Sequence, residues 1–180
     1  MRVRQTLPDL WLLSDQRNDA RLEAALRRLP RRSGFVYRHY HLAAEDRRAR
    51  FDALATAARR FDHLVLLSSA CWNDVHEWGS DGLYGSYQAI AGVRPADVLW
   101  LAAAHDAAEL AIANRHGADG VFLSPVFPTR SHPGAPTLGK AAFLGLAASS
   151  DAPVIALGGM DAEKAAELGW RRWGAIDGLS

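Results

Sequence analysis

The chain has 180 residues, 49% of them apolar and 23% charged, with one cysteine and a formal net charge of +1. That length argues for a single domain burying roughly 70% of its unfolded surface, which needs neither a disulfide nor a structural metal. The lone Cys71 excludes an internal bridge, the near-neutral charge excludes nonspecific nucleic-acid binding, and no apolar run approaches a membrane span, so the expectation is a cytoplasmic protein.

Residues 10–13 form a short apolar run closed by Ser14-Asp15, which predicts a buried strand. Asn18-Asp19 reads as an N-cap for a helix carrying Leu22, Ala25, Leu26 and Leu29 on one face, stopped by Pro30. Phe35-Val36-Tyr37 predicts the second strand, and Phe51, Leu54, Ala55 and Ala58 mark the apolar face of a second helix. Residues 63–67 and 82–84 supply the third and fourth strands, with little helical pattern from 68 to 96.

The second half alternates more regularly. Residues 97–102 predict a fifth strand, and Asp106 with Glu109 resembles a capping box for a helix ending at His116-Gly117. Residues 120–123 are the sixth strand, followed by a Pro- and Gly-rich loop from 125 to 136 and a helix around 140–148. The apolar run 153–157 is the seventh strand, Asp161 caps a helix reaching Leu168, and 173–176 close the series as the eighth.

Strands that alternate with helices pair in parallel, because each crossover returns the chain to the same edge. Eight such units predict an α/β protein, a compact (β/α)8 TIM barrel over residues 1–180. The fold typically takes about 250 residues, so several helices must be short, notably between 68 and 96, and a final helix must be missing. An open doubly wound sheet is the alternative. The six tryptophans, notably Trp72, Trp78, Trp170 and Trp173, either fill space beside shortened helices or mark the surface of a homodimer.

A parallel barrel collects its active site at the carboxyl ends of the strands. There Gly158-Gly159 follows the seventh strand and precedes a capped helix, a context in which backbone N–H groups can approach a phosphate; a tight turn without ligand is the bland reading. The loop from Ser124 to Pro133 holds Thr129, Arg130, Ser131 and His132 within four residues, enough donors to surround an anion, or else a merely rigid surface loop.

These segments carry a family resemblance. Gly117-Ala118-Asp119 through Gly139 resembles the sixth strand and loop of the thiamine phosphate synthase/TenI family, with Val126-Phe127-Pro128-Thr129 as its most specific part. The segment from Pro153 to Met160 resembles that family's strand ending in Gly-Gly, and Leu10 to Asp15 its first strand. The resemblance implies a thiamine-biosynthesis enzyme that binds a small phosphorylated thiazole, with no nucleic-acid or membrane partner. On it Thr129, Arg130, Ser131, Gly158 and Gly159 hold the phosphate side, and Phe127 and Val126 pack on the ring.

The same resemblance exposes departures. Family synthases join a pyrimidine pyrophosphate to the thiazole phosphate with Mg²⁺, using an arginine and a lysine on strand two and carboxylates at strands three and four. Here Arg38 keeps the arginine, but Tyr40 replaces the lysine, Ser68-Ser69-Ala70 brings no carboxylate, and Tyr84 stands where the family has histidine. Each lost charge-assisted contact is worth roughly 1.5–3 kcal/mol. A thiazole tautomerase-like activity therefore fits better than full synthesis, with no cofactor, Mg²⁺ being required only if synthase activity persists. His105 and His132 are the acid/base candidates, with His39, Asp15 and Asp177 behind them. The competing reading is a non-catalytic barrel that kept only a phosphate cup.

Overall fold

The computed structural model describes residues 6–131 and 133–180. Eight parallel strands follow one another round a closed barrel: β1 (Leu10–Leu13), β2 (Gly34–Tyr37), β3 (Leu64–Ser68), β4 (Gly82–Gly85), β5 (Leu99–Ala104), β6 (Gly120–Leu123), β7 (Val154–Ala156) and β8 (Trp173–Ala175). β8 pairs back onto β1, with Leu10 opposite Trp173, so the open sheet is excluded. The strands are short and nearly all apolar because both of their faces are covered.

Inward-facing residues, Trp11, Leu13, Val36, Leu66, Leu101, Phe122 and Ile155 among them, fill the barrel. Trp11 meets Phe122 edge-on with centroids 5.5 Å apart. Its bulk fits only because the neighbouring strand carries Gly34, where a Cβ would stand 2.1 Å from the indole. Outside the strands the core divides in two. β1–β3 pack against α1 (Leu22–Arg28) and α2 (Ala44–Arg59), while β4–β8 pack against α4 (Ala107–Arg115), α5 (Gly139–Ala148) and α6 (Ala162–Leu168).

The helices are shortened where the sequence predicts it. After β3 comes α3 (Asp74–Trp78), five residues long, and after β4 only the 3₁₀ turn Tyr87–Ala89. Trp72 occupies the space so freed, buried and edge-on to Trp100 at 5.9 Å. Trp173 is buried too, Trp170 packs on Phe143 and donates to the Val154 carbonyl, and Trp78 lies between Phe51 and two guanidinium groups. The four tryptophans therefore fill space; they do not form an exposed patch. Among the described residues no helix is long and apolar enough to cross a membrane.

Three local expectations shift. The first helical cap is Asp15, which opens the 3₁₀ segment Gln16–Arg21, because Asn18 is drawn inward to donate to the Leu13 and Ile176 carbonyls. The third and fifth strands begin late, at Leu64 and Leu99. His63 is left outside its strand, accepting from the Ser33 amide at 3.1 Å and donating to the Leu26 carbonyl at 2.8 Å.

Candidate functional site

The carboxyl ends of the strands open into a cavity of about 590 Å³. Arg38, His105, Thr129, Arg130, Ser131, Gly158 and Gly159, which reading of the sequence nominated separately, all line it. His132 lies outside the described residues. Phe127 does not line the cavity: it packs into the outer core and against Gly159, and Val126 is fully buried. The apolar wall is made instead by Pro125, Leu157, Met160, Ala175 and Ile176.

The β7 side is shaped by backbone. Gly158 and Gly159 have φ of +88° and +65°, and a Cβ on Gly159 would stand 2.4 Å from the Pro128 carbonyl oxygen. The β6 loop lies on them, with Val126 and Phe127 donating to the Leu157 and Gly158 carbonyls at 2.9 and 3.1 Å. Glycine is required here both by the left-handed conformation and by that close approach. The amides of Gly158, Gly159 and Met160 make no hydrogen bond among the described residues, and all three residues face the cavity. Beside them Asp161 caps α6 by accepting from the Lys164 amide at 2.8 Å and pairs with its ammonium at 3.1 Å. That amide bond, outweighing a slight opposing burial, holds the Asp161 carboxyl below the usual carboxylate range.

The β6 loop is tied across the mouth by a residue the sequence did not suggest. Arg17 donates to Ser131 Oγ at 2.9 Å and to Asp15 at 2.9 Å, and lies 3.5 Å from Asp177. Burial pushes the Asp15 carboxyl up, but hydrogen bonds from Arg17 and the charges of Arg17 and Arg38 bring it below its ordinary value. No local pattern announces Arg17, since its partner in the loop is 114 positions away.

The β1–β3 side is closed by side chains bonded to one another. His39 turns inward on a φ of +34° and is buried, so it does not line the cavity. Its Nε2–H donates to Asp19 at 2.7 Å, which leaves Nδ1 to accept the Ser14 hydroxyl at 2.8 Å; Ser14 Oγ in turn accepts the Arg38 amide at 2.7 Å. Burial lowers the His39 pKa, against the opposing pull of Asp19. Arg50 joins Asp19 to Glu23 outside this chain. Above it Tyr40 bonds Ser68 Oγ at 2.5 Å, and Arg47 donates to the Ser68 and Arg38 carbonyls.

His105 stands at the rim, 54% exposed, with Nδ1 2.8 Å from Glu109 Oε2. The same carboxylate oxygen accepts the His105 amide at 2.7 Å, so Glu109 clasps the residue before the cap instead of the Asp106 cap itself. A divalent cation is poorly served at the carboxyl ends of β3 and β4. Ser68 Oγ is taken by Tyr40, Asp74 is engaged by the Ser69 hydroxyl, and β4 presents the phenol of Tyr84. Among the described residues, no three acids, histidines or cysteines gather with the spacing of a metal site.

Comparisons with known proteins agree with this architecture. The family model described as thiamine monophosphate synthase matches residues 12–174. A solved thiamine phosphate pyrophosphorylase from Pyrococcus furiosus superposes with a TM-score of 0.78 at 19% identity, over 97% of this chain and 88% of that one. A second, from Bacteroides thetaiotaomicron, gives 0.60 at 14% identity, over 94% and 82%. An aldolase/citrate lyase family protein from Burkholderia cenocepacia gives 0.62 at 16%, over 95% and 89%, a likeness of fold alone. No curated protein matches the chain.

Proposed function

The chain belongs to the thiamine monophosphate synthase family, and on that premise we propose that its cavity binds a thiazole phosphate and acts on it as a tautomerase-like isomerase rather than as a complete synthase. The observation carrying the reading is the set of unpaired amides at Gly158, Gly159 and Met160, facing a cavity roofed by Thr129, Arg130 and Ser131. Donors left without partners in a folded protein are an incomplete hydrogen-bond account, which an anion completes. Lys164 and Arg130 add positively charged groups to the lining, and the apolar residues of the same cavity suit a ring.

Isomerisation asks little more of the site. One proton leaves one carbon of the conjugated thiazole system, the electron pair shifts through that system, and a proton is returned to another carbon of it, in the ring or adjoining it. With Nδ1–H donated to Glu109, His105 presents Nε2 as the base, and Glu109 stabilises the imidazolium formed in between. The second half-site of a synthase is the part this chain supports least. A pyrophosphate needs several cations and a metal, and the β2–β4 rim offers Arg38 with Tyr40, Ser68 and Tyr84 beside it.

Incubation of the pure protein with thiazole phosphate, pyrimidine pyrophosphate and Mg²⁺ separates the readings. The expected outcome is little or no thiamine phosphate, together with solvent deuterium exchange into the carboxylated thiazole phosphate that His105→Ala slows by about 10²-fold or more. Rapid synthesis of thiamine phosphate overturns the reading. Tight binding of thiazole phosphate with no exchange leaves a binding barrel instead.

A further inference from the structure

Three polar side chains from the β2–β4 side line the cavity: Arg38, Tyr40 and Tyr84. The Tyr40 hydroxyl is committed to Ser68, whereas neither the Arg38 guanidinium nor the Tyr84 hydroxyl has a hydrogen-bond or ion-pair partner among the described residues. Tyr84 sits at the top of the barrel interior, level with Ser68 on β3 and Leu101 on β5. Phe122 fixes its ring edge-on, with centroids 5.1 Å apart and planes at 89°. The buried side-chain polar atoms without a hydrogen bond among the described residues are Asp9 Oδ1 and Trp72 Nε1. The Tyr84 hydroxyl is not one of them, so it is reached from the cavity. The Arg38 guanidinium lies over the Tyr40 ring, 5.6 Å from its centroid, and its amide is pinned on Ser14.

We propose that Tyr84 is a specificity-determining residue whose hydroxyl, with the Arg38 guanidinium beside it, donates to a lone pair on the ring of a phosphorylated heteroaromatic ligand. This rests on the reading of the cavity as a thiazole-phosphate site and says which feature of the ring is recognised. Burial raises the phenol pKa to about 12, so at neutral pH the group is a donor. A fixed donor in a partly apolar cavity discriminates chiefly by penalty: a ring without an acceptor strips it of water and leaves it unpaired. The consequence for chemistry is direct. A ring nitrogen whose lone pair is held by a phenol cannot at the same time attack a carbon centre, whereas proton movement around the ring is unhindered.

The test is a chemical double cycle read by competition with inorganic phosphate. Wild type and Tyr84→Phe are each titrated with thiazole phosphate and with the thiophene phosphate that replaces the ring nitrogen by C–H. Wild type is expected to prefer the thiazole about tenfold, the upper range for one neutral hydrogen bond, and Tyr84→Phe to show no preference. Inorganic phosphate should bind both proteins equally, and thermal unfolding should confirm that the variant folds, since the deleted hydroxyl has no partner to lose. A preference that survives in Tyr84→Phe, or is absent from wild type while both ring compounds bind, overturns the proposal alone. Binding of neither ring compound overturns the thiazole-phosphate reading and the proposal with it.

Discussion

Over β1–β3 the mouth of the barrel is closed by side chains bonded to each other, whereas over β6–β8 it is left open by backbone amides without a partner among the described residues. The closed half holds residue types that usually attract mechanistic attention: Ser14, His39 and Asp19 form a continuous hydrogen-bonded chain. Ser14 and His39 are nevertheless buried and do not line the cavity, and the Ser14 hydroxyl and both His39 ring nitrogens are matched within the chain. The open half holds two glycines, a methionine and a proline-rich loop, yet its backbone amides are left for a ligand. Residue type thus misleads where the accounting of partners does not.

The largest expected effect comes from breaking the open half. Gly159→Ala places a Cβ 2.4 Å from the Pro128 oxygen at a φ of +65°, and because that oxygen is backbone the loop itself must shift to relieve the clash. The combined strain and overpacking should cost about 2–4 kcal/mol of stability. Displacement of the loop should also weaken inorganic phosphate binding by about 30-fold or more, measured by calorimetric titration. Unchanged binding would mean that these amides are not the cradle.

In the closed half the pattern should invert, with stability lost and binding kept. His39→Ala removes one buried and one part-buried hydrogen bond and strands Ser14, which should cost about 2–3 kcal/mol in denaturant unfolding while phosphate affinity stays within about twofold. The same ring sets a pH dependence. Its folded pKa is lowered, so the unfolded chain binds the proton more readily; the stability contributed by neutral His39 is complete above about pH 6.5 and declines as pH falls through the folded pKa. Protonation would aim a second donor at Ser14 Oγ, which already accepts the Arg38 amide. His41, Tyr37, Asp19 and Arg50 face the ring, and of these Asp19 opposes the effect. His63 is lowered in the same sense by burial, so His39→Gln should flatten the decline between pH 7 and 5 only in part.

How much of this was legible in the sequence follows the same division. The barrel was readable because the strands are continuous apolar runs and the crossovers are punctuated by Asp106, Asp161 and Gly117, signals that act within a few residues. The contact between the glycines and the loop that lies on them was readable because both keep a family pattern. Partner assignments were not. Nothing local says that His39 turns inward, that Asn18 reaches the end of β8, or that Phe127 faces the outer core; each is decided by a neighbouring strand many residues away. The free hydroxyl of Tyr84 is invisible for the converse reason, since the absence of a partner can be established only after all the neighbours are placed.

Arg17 tests whether the two halves are joined, and here the expected effect is smallest. It is anchored on Asp15 at the end of β1 and reaches Ser131 in the loop over β7, the described side-chain hydrogen bond that links the closed half to that loop. The contact is one-third exposed, and pairs of that kind contribute about 0.2–1 kcal/mol, so Arg17→Ala should hardly move the unfolding midpoint. A latch of that strength still sets how often the loop lifts. Cleavage by trypsin after the exposed Arg130 should quicken about two- to fivefold in the variant, and inorganic phosphate should slow cleavage of both proteins by holding the loop from the other side. Equal cleavage rates would show that the loop is held by the Val126 and Phe127 backbone bonds alone, leaving the two halves of the mouth mechanically independent.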